Sequence, residues 1–250
     1  MNAKVVIPAR YGSSRLPGKP LLSLIDKPII CHVIERCKEA GFKQSDIFVA
    51  TDDQRIMDAL EGEGIQVVFT SSSHQSGTDR INEVAQNKRW SAETIVVNVQ
   101  GDEPMIPSAL IQQLLSFTLE NPSYQLTTAV VPLRSKVDFE DLNVVKAVLG
   151  HNGRALYFTR SASPINRDNP FDLSLAKRHI GIYAYRVSSL REFCSYAEDG
   201  LESYEKLEQL RALSHGMSIG AMTFDGDVPH GIDTVADYES IKKIMEENTN

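Results

Sequence analysis

Short apolar runs alternate with amphipathic segments along the first half of the chain. Runs typical of buried strands occupy residues 4–8, 46–51, 65–69, 94–99 and 126–132. Helical spacing of apolar positions is found over residues 28–41, 54–63, 78–88 and 107–119. A repeated strand–helix–strand order predicts an α/β fold with a mostly parallel sheet and helices on both faces.

The pattern changes after about residue 137. Further strands are predicted at residues 144–149, 155–158, 179–186 and 219–223, and helices at residues 187–196, 202–215 and 235–247. Residues 161–176 are rich in Pro, Asn and Asp and predict a long loop. We therefore expect an α/β domain formed by residues 1–132 and 217–250, with residues 133–216 as an inserted, more antiparallel region.

Composition narrows the function classes. The 250 residues carry a net charge of −7, which argues against a general nucleic-acid binder. The three cysteines, Cys31, Cys37 and Cys194, form no CxxC pair and are expected to be reduced thiols, not zinc ligands. The N-terminal residues lack the pattern of a signal peptide, and no apolar run approaches the ~20 residues of a membrane span. We expect a soluble, cytoplasmic protein that binds neither nucleic acid nor membrane.

The first predicted strand runs into a loop rich in small and cationic residues. Its sequence, residues 5–19, is VVIPARYGSSRLPGK, which includes Ser13 and Ser14 and the cations Arg10, Arg15 and Lys19. The spacing of its glycines does not fit a Walker loop, and no GxGxxG follows any predicted strand. Small residues and cations at a strand end favour phosphate binding over a solvated basic turn.

Two acidic loops could complete such a site. Asp102 follows the most apolar predicted strand, and Asp233 precedes the last predicted helix. Mg²⁺ is bound through one or two carboxylates together with phosphate oxygens. The spacing alone leaves two simpler roles open: Asp102 as a turn cap, and Asp233 as the N-cap of the helix, which is the commoner role for a single aspartate there.

Two further groups of polar residues could contact a ligand. Residues 74–80 read HQSGTDR and could contact a base or a sugar, or could simply cap the following helix. In the inserted region, the cations Arg160, Arg178 and His179 would suit a carboxylate of a second substrate.

These motifs together resemble one family. The segments ARYGSSRLPGK, HQSGTDR, VNVQGDEP, ALYFTR, RHIGIYAYR, LEQLR and GIDT occur in the order and at about the spacing of the 3-deoxy-manno-octulosonate (Kdo) cytidylyltransferases. The first loop alone indicates only the wider group of sugar nucleotidyltransferases. The resemblance covers residues 5 to about 238.

The resemblance implies a transferase that converts CTP and Kdo into CMP-Kdo and pyrophosphate for lipopolysaccharide biosynthesis. It implies Mg²⁺ as cofactor, a Rossmann-like nucleotide-diphospho-sugar transferase fold, and a homodimer formed with the help of the inserted region, which also binds the sugar.

Residue roles follow from the same resemblance. The nucleotide-binding residues would be Pro8, Ala9, Arg10, Arg15, Lys19, Ser76, Gly77 and Arg80. The sugar-binding residues would be Gln100, Arg160, His179, Tyr183, Glu208 and Gln209. Asp102 and Asp233 would bind the metal, and with Lys19 they would be the catalytic residues.

The chain departs from the family pattern near the expected sugar pocket. Residues 164–167 read PINR where an aromatic residue is usual, and Gly200 replaces a common proline. These changes raise the 8-amino analogue of Kdo as a second candidate substrate. A CMP-sialate synthetase or a uridylyltransferase would share the first loop and is a competing interpretation. A nucleotide-binding domain without catalysis is another, and it would need neither Asp102 nor Asp233.

Overall fold

The structure, a computed structural model, describes residues 2–12, 15–74 and 76–249. Ser13 and Ser14 of the first loop and Gln75 of the HQSGTDR segment lie outside the described residues. The chain forms two compact units. Unit 1 comprises Met1–Gln112 and Val228–Asn250, and unit 2 comprises Gln113–Asp227. Residues 133–216 thus fall within unit 2. No helix of the described residues has the length and apolar character needed to cross a bilayer.

Unit 1 contains a parallel sheet. The strands of unit 1 are β1 (Ala3–Pro8), β2 (Ser23–Leu24), β3 (Lys27–Pro28), β4 (Ile47–Thr51), β5 (Gln66–Phe69) and β6 (Ile95–Asn98). The order β6–β1–β4–β5 is parallel at every pairing, and β2 and β3 form a separate short hairpin. Strands β4 and β6 are buried along their whole length, which explains why they appear in the sequence as continuous apolar runs.

The helices of unit 1 are α1 (Ile29–Glu39), α2 (Gln54–Ala59), α3 (Gly77–Asn87) and α9 (Val235–Thr249), and the chain leaves unit 1 within α4 (Ser108–Glu120). Ile232 and Ile241 from the C-terminal segment pack in one apolar cluster with Leu16, Leu24 and Ile29. This cluster packs the last segment of the chain against the first loop and the region that follows it.

Unit 2 is more antiparallel. Its strands are β7 (Leu126–Pro132), β8 (Lys146–Leu149), β9 (Ala155–Thr159), β10 (Lys177–Arg186) and β11 (Ile219–Thr223). Its helices are α5 (Lys136–Glu140), α6 (Val187–Ser195), α7 (Gly200–Glu205) and α8 (Gln209–Ser214). The strand order is β11–β7–β10–β8–β9, parallel for β11 and β7 and antiparallel elsewhere.

The predicted α/β class with a mostly parallel sheet is confirmed, but the single helix expected over residues 202–215 is wrong. Lys206 adopts a left-handed conformation, with φ of 54° and ψ of 47°, and ends α7. The backbone carbonyls of Glu205 and Lys206 accept hydrogen bonds from the side chain of Arg160. Arg160 therefore uses carbonyls that a continuous helix would have used internally.

Candidate active site

A cavity of about 350 Å³ in unit 1 lies beside the carboxyl ends of β1 and β6. Such strand ends are where α/β sheets bind their ligands. The cavity is lined by Pro8, Ala9, Arg10, Gly12, Arg15, Lys19, Pro20, Gly77, Gln100, Gly101, Asp102 and Asp233. It therefore brings together most of the residues predicted to bind nucleotide and metal, together with Gln100.

In the first loop, the amide of Gly18 donates a 2.9 Å hydrogen bond to the carbonyl oxygen of Tyr11. Gly18 has a φ of +69°, and a Cβ atom there would lie 3.1 Å from the Tyr11 ring. The guanidinium of Arg55 stacks on this ring, 3.4 Å from its centroid. A glycine is required at position 18 because both the backbone angle and the close ring disfavour a side chain.

Lys19 lies between the two predicted metal ligands. Its Nζ is 2.5 Å from Oδ2 of Asp102 and 3.2 Å from Oδ1 of Asp233. Arg15 also reaches Asp233, with 3.1 Å between Nη2 and Oδ1. The Lys19 side chain is only 11% exposed, whereas that of Arg15 is 63% exposed. The two carboxylates thus converge on one cation, the ammonium of Lys19.

Gly101 allows the loop bearing Asp102 to approach the end of β1. A Cβ atom at this position would lie 2.8 Å from the backbone oxygen of Pro8, a distance that real Cβ atoms essentially never show. The amide of Ile232 donates a 2.8 Å hydrogen bond to the carbonyl of Asp102. The loop that carries Asp102 therefore lies close to the end of β1 and is bonded through its backbone to the segment that leads to Asp233.

Asp233 is not the N-cap of α9, contrary to the interpretation that spacing alone favoured. The Thr234 hydroxyl accepts from the amide of Asp237 and donates to its carboxylate, so Thr234 caps the helix. The Asp237 carboxylate also accepts from the amides of Asp233 and Thr234. Burial would raise the pKa of Asp237, but these hydrogen bonds outweigh it and lower the pKa.

Asp237 was not among the residues predicted from the sequence. A Thr followed three residues later by an acidic residue is the spacing of a capping box, and this signal was present in the chain. With Thr234 serving as the cap, the side chain of Asp233 is available to the cavity.

Arg10 is oriented by His74, and His74 is held by Glu83, which was not among the residues predicted from the sequence. The Nη2 of Arg10 donates a 2.6 Å hydrogen bond to the carbonyl of His74, whose Nε2 lies 2.5 Å from the carboxylate of Glu83. The Glu83 carboxylate also accepts from the amide of Ser71. Burial would raise the pKa of Glu83, but the bonds from Ser71 and His74 lower it. Glu83 on α3 thereby fixes the loop on which Arg10 rests.

The remaining predicted nucleotide residues divide into two groups. Ser76 caps α3 by accepting from the amide of Asp79, and Gly77 lies so close to Pro8 that a Cβ atom would be 3.3 Å from its Cγ. Arg80 is fully buried, and its guanidinium donates to Thr70 and Asp52. A direct contact of Arg80 with a ligand would require the residues that cover it to move, because its side chain is 0% exposed.

In unit 2, the guanidinium of Arg160 forms hydrogen bonds with the protein's own backbone. Its guanidinium donates to the backbone carbonyls of Leu142, Glu205 and Lys206 over 2.9, 2.7 and 3.4 Å. Its amide donates to the Glu205 carboxylate, which also accepts from the Thr159 hydroxyl. These contacts hold the α7–α8 turn against the end of β9.

His179 and Tyr183 lie on β10, with 5.5 Å between their ring centroids. Burial lowers the pKa of His179 to about 3, so the ring is neutral at neutral pH. The positive cluster expected from Arg160, Arg178 and His179 thus has an uncharged member. Burial, assisted by the negative charge of Glu208, raises the pKa of Tyr183. Gln209, next to Glu208, begins α8 and is buried.

Known proteins are similar to this chain along nearly its whole length. A family model described as "Cytidylyltransferase" matches residues 4–219. The 3-deoxy-manno-octulosonate cytidylyltransferase of Acinetobacter baumannii (strain SDF) is 43% identical over 250 residues, covering 98% of each chain. That of Alteromonas mediterranea is 47% identical, covering 96% of this chain and 98% of its own. A solved structure of a CMP:2-keto-3-deoxy-manno-octonic acid synthetase complexed with CTP is 38% identical, with a TM-score of 0.91 over 99% of this chain and 100% of its own.

Proposed function

Because the chain belongs to the 3-deoxy-manno-octulosonate cytidylyltransferase family, we propose that it joins CTP and Kdo to give CMP-Kdo and pyrophosphate. The observation that supports this proposal best is the cavity of unit 1, where three cations and two carboxylates meet at the ends of parallel strands. That arrangement suits a triphosphate, which carries several negative charges along a short chain.

The three cations have different positions and therefore different proposed roles. Lys19 is much more buried than Arg15 and would stabilise the charge that grows on the departing pyrophosphate. Arg15 is largely exposed and would bind the outer phosphates as they enter. Arg10, fixed by the carbonyl of His74, would bind with a preset orientation.

The cytosine and ribose are proposed to lie against the end of β1. Pro8 and Ala9 line the cavity, and Gly77 leaves it open because a side chain there would press on Pro8. Ser76 stands beside them at the start of α3. Arg80 is proposed to act indirectly, since its guanidinium braces Asp52 and Thr70 beneath this loop.

Asp102 and Asp233 fit a magnesium site. Their oxygens, from two different loops, already converge on one cation, the ammonium of Lys19. Two carboxylates completed by phosphate oxygens are a donor set typical of Mg²⁺. When bound there, Mg²⁺ would neutralise phosphate charge and make the attacking hydroxyl more acidic.

For the sugar, we propose the residues that the family resemblance implies, namely Gln100, Arg160, His179, Tyr183, Glu208 and Gln209. The anomeric hydroxyl of Kdo would attack the α-phosphorus of CTP, forming one O–P bond while the bond to pyrophosphate breaks. Catalysis by the protein would consist mainly of positioning both substrates and stabilising charge. Arg160 would contribute by holding the turn that leads to Glu208 and Gln209.

We also propose a homodimer and a place in lipopolysaccharide biosynthesis, both from the family resemblance. Several large apolar side chains of unit 2 are strongly exposed in the single chain, among them Val137, Phe171 and Leu175 at 77%, 75% and 74%. Sedimentation equilibrium tests the dimer. A chain that stays monomeric at micromolar concentration would contradict it.

Pyrophosphate release tests the activity. CTP, Mg²⁺ and Kdo are expected to give release, whereas UTP in place of CTP, or a sialic acid in place of Kdo, should support little. The ratio of kcat/KM for Kdo and 8-amino-Kdo decides between the two sugar acids. Absence of release with both sugars would contradict the proposed function.

A further inference from the structure

We propose that Thr128 is a positioning residue of the sugar site: its hydroxyl fixes the hydrogen of His179 on Nε2 and leaves Nδ1 as an acceptor for a sugar hydroxyl. The identity of the sugar rests on the proposed function. The state of the ring is a property of the chain without any ligand, and it can be tested separately.

The arrangement originates in an irregularity of β10. This strand pairs with β7 in register up to Ile180, which faces Ala129, and pairing resumes with Tyr183 opposite Thr128. Gly181 and Ile182 are therefore extra residues on β10. Such a bulge frees backbone groups from the ladder and redirects the flanking side chains. Here the flanking side chains include those of His179 and Tyr183.

Thr128 is fully buried, and its hydroxyl contacts two backbone carbonyls at this bulge. Its Oγ1 lies 2.7 Å from the carbonyl of Ile182, 3.2 Å from that of Ile180, and 3.0 Å from Nε2 of His179. A hydroxyl has one hydrogen, and a carbonyl can only accept. Two oxygens only 2.7 Å apart need a hydrogen between them, so we assign the hydrogen of Thr128 to the carbonyl of Ile182.

The oxygen of Thr128 is then left as an acceptor toward His179. For this contact to be a hydrogen bond, Nε2 must carry a hydrogen. The edge-to-face contact of the ring with Phe158, at 4.8 Å between centroids, limits its rotation. Since the ring is neutral, Nδ1 has no hydrogen and can only accept.

This chemistry defines what the ring can recognise. A neutral acceptor nitrogen binds an O–H group and repels the oxygens of a carboxylate. Tyr183 beside it keeps its phenolic hydrogen, because its pKa is raised, and so can donate. An acceptor and a donor side by side are suited to the hydroxyls of a polyol. His179 is therefore assigned to a hydroxyl of the sugar acid, not to its carboxylate.

The test compares the wild-type chain with Thr128→Val, which keeps the shape and loses the hydroxyl, and with Thr128→Ser, which restores it. Nitrogen NMR of histidine-labelled protein without ligand, with His179 assigned through His179→Gln, is expected to show the Nε2–H form in the wild type and Thr128→Ser. In Thr128→Val the Nδ1–H form should appear. An imidazolium or the Nδ1–H form in the wild type at neutral pH would overturn the proposal.

Kinetics provide the second readout. Thr128→Val should raise KM for Kdo about tenfold, equivalent to one hydrogen bond, and leave KM for CTP within about twofold. Thr128→Ser should recover most of the loss. Equal rises in both KM values, or an unchanged KM for Kdo, would overturn the positioning role. If Thr128→Val does not fold, Thr128→Ala takes its place as the variant without the hydroxyl, and an unchanged tautomer of His179 in it would overturn the role of Thr128. If the wild type folds but turns over no sugar, the proposed function fails while the ring assignment stands.

Discussion

Lys19 and Asp102 are in direct contact, with 2.5 Å between Nζ and Oδ2, although 83 residues separate them in the sequence. The lysine is the last residue of the first loop, and the aspartate lies in the loop that follows β6. Asp102 is 31% exposed and Lys19 only 11%, so solvent screens the charges of the pair in part. Its importance is in placing a cation and a carboxylate side by side where the phosphates are proposed to bind.

Asp102→Asn is expected to lower kcat at least about 100-fold, because one carboxylate of the proposed metal site is lost. The free energy of unfolding should change by less than about 1 kcal/mol, since the ion pair is partly exposed. Pyrophosphate release and urea unfolding measure the two effects. Asp46→Asn is the matched control, because Asp46 forms an equally short ion pair with Lys4 away from the cavity. Near-normal turnover of Asp102→Asn would remove the metal assignment.

Gly101→Ala is expected to destabilise the chain by about 1–3 kcal/mol, because its Cβ would clash with the backbone oxygen of Pro8. Gly12→Ala is the control. It lines the same cavity, has nothing within 4 Å of the added Cβ, and should change stability by no more than about 0.5 kcal/mol. Urea unfolding of both variants tests this difference, and equal stabilities would contradict the assigned close approach.

Arg160→Met is expected to cost about 2–4 kcal/mol of stability, because three backbone carbonyls lose a charged donor. Arg167→Met, at an exposed position of the neighbouring loop, should be nearly neutral. Urea unfolding and the KM for Kdo are to be measured together. Unchanged stability with a raised KM would instead indicate that Arg160 binds the sugar directly.

Asp237→Asn tests whether the Asp237 carboxylate, which accepts from the amides of Asp233 and Thr234, stabilises the fold in a pH-dependent way. The pKa of Asp237 is lowered in the folded chain, so the carboxylate stabilises the fold at neutral pH and this stabilisation disappears as pH falls through the lowered pKa. The variant should be less stable by about 1 kcal/mol at neutral pH, and the difference should shrink in acid. Asp225→Asn, at an exposed position, is the control. A difference independent of pH would contradict this assignment.

The sequence was most informative where local chemistry determines structure. Buried parallel strands need apolar residues on both faces, so β4 and β6 appear as apolar runs. The glycines and charges of the cavity lie just beyond such runs, and their position could be predicted from the ends of strands. The contacts of Asp102 and Asp233 with Lys19 could not be predicted from this rule, because Asp233 precedes a helix and does not follow a strand directly.

Features caused by distant partners could not be predicted in this way. The break between α7 and α8 depends on Arg160, 45 residues before Glu205, and Lys206 itself carries no glycine-like signal. The state of His179 depends on Thr128, 51 residues away, and on an irregularity in strand pairing. Local patterns indicate which conformation a segment favours, but they do not indicate which distant contact stabilises a different one.

The contact between position 101 and Pro8 also bears on how this cavity can be redesigned. The loop after β6 is pressed against the end of β1, and its carbonyl at Asp102 is in turn bonded to the amide of Ile232. A loop borrowed from another protein would have to reproduce both approaches. The three segments therefore form a single exchangeable module, and transplanting any one of them alone would displace the other two.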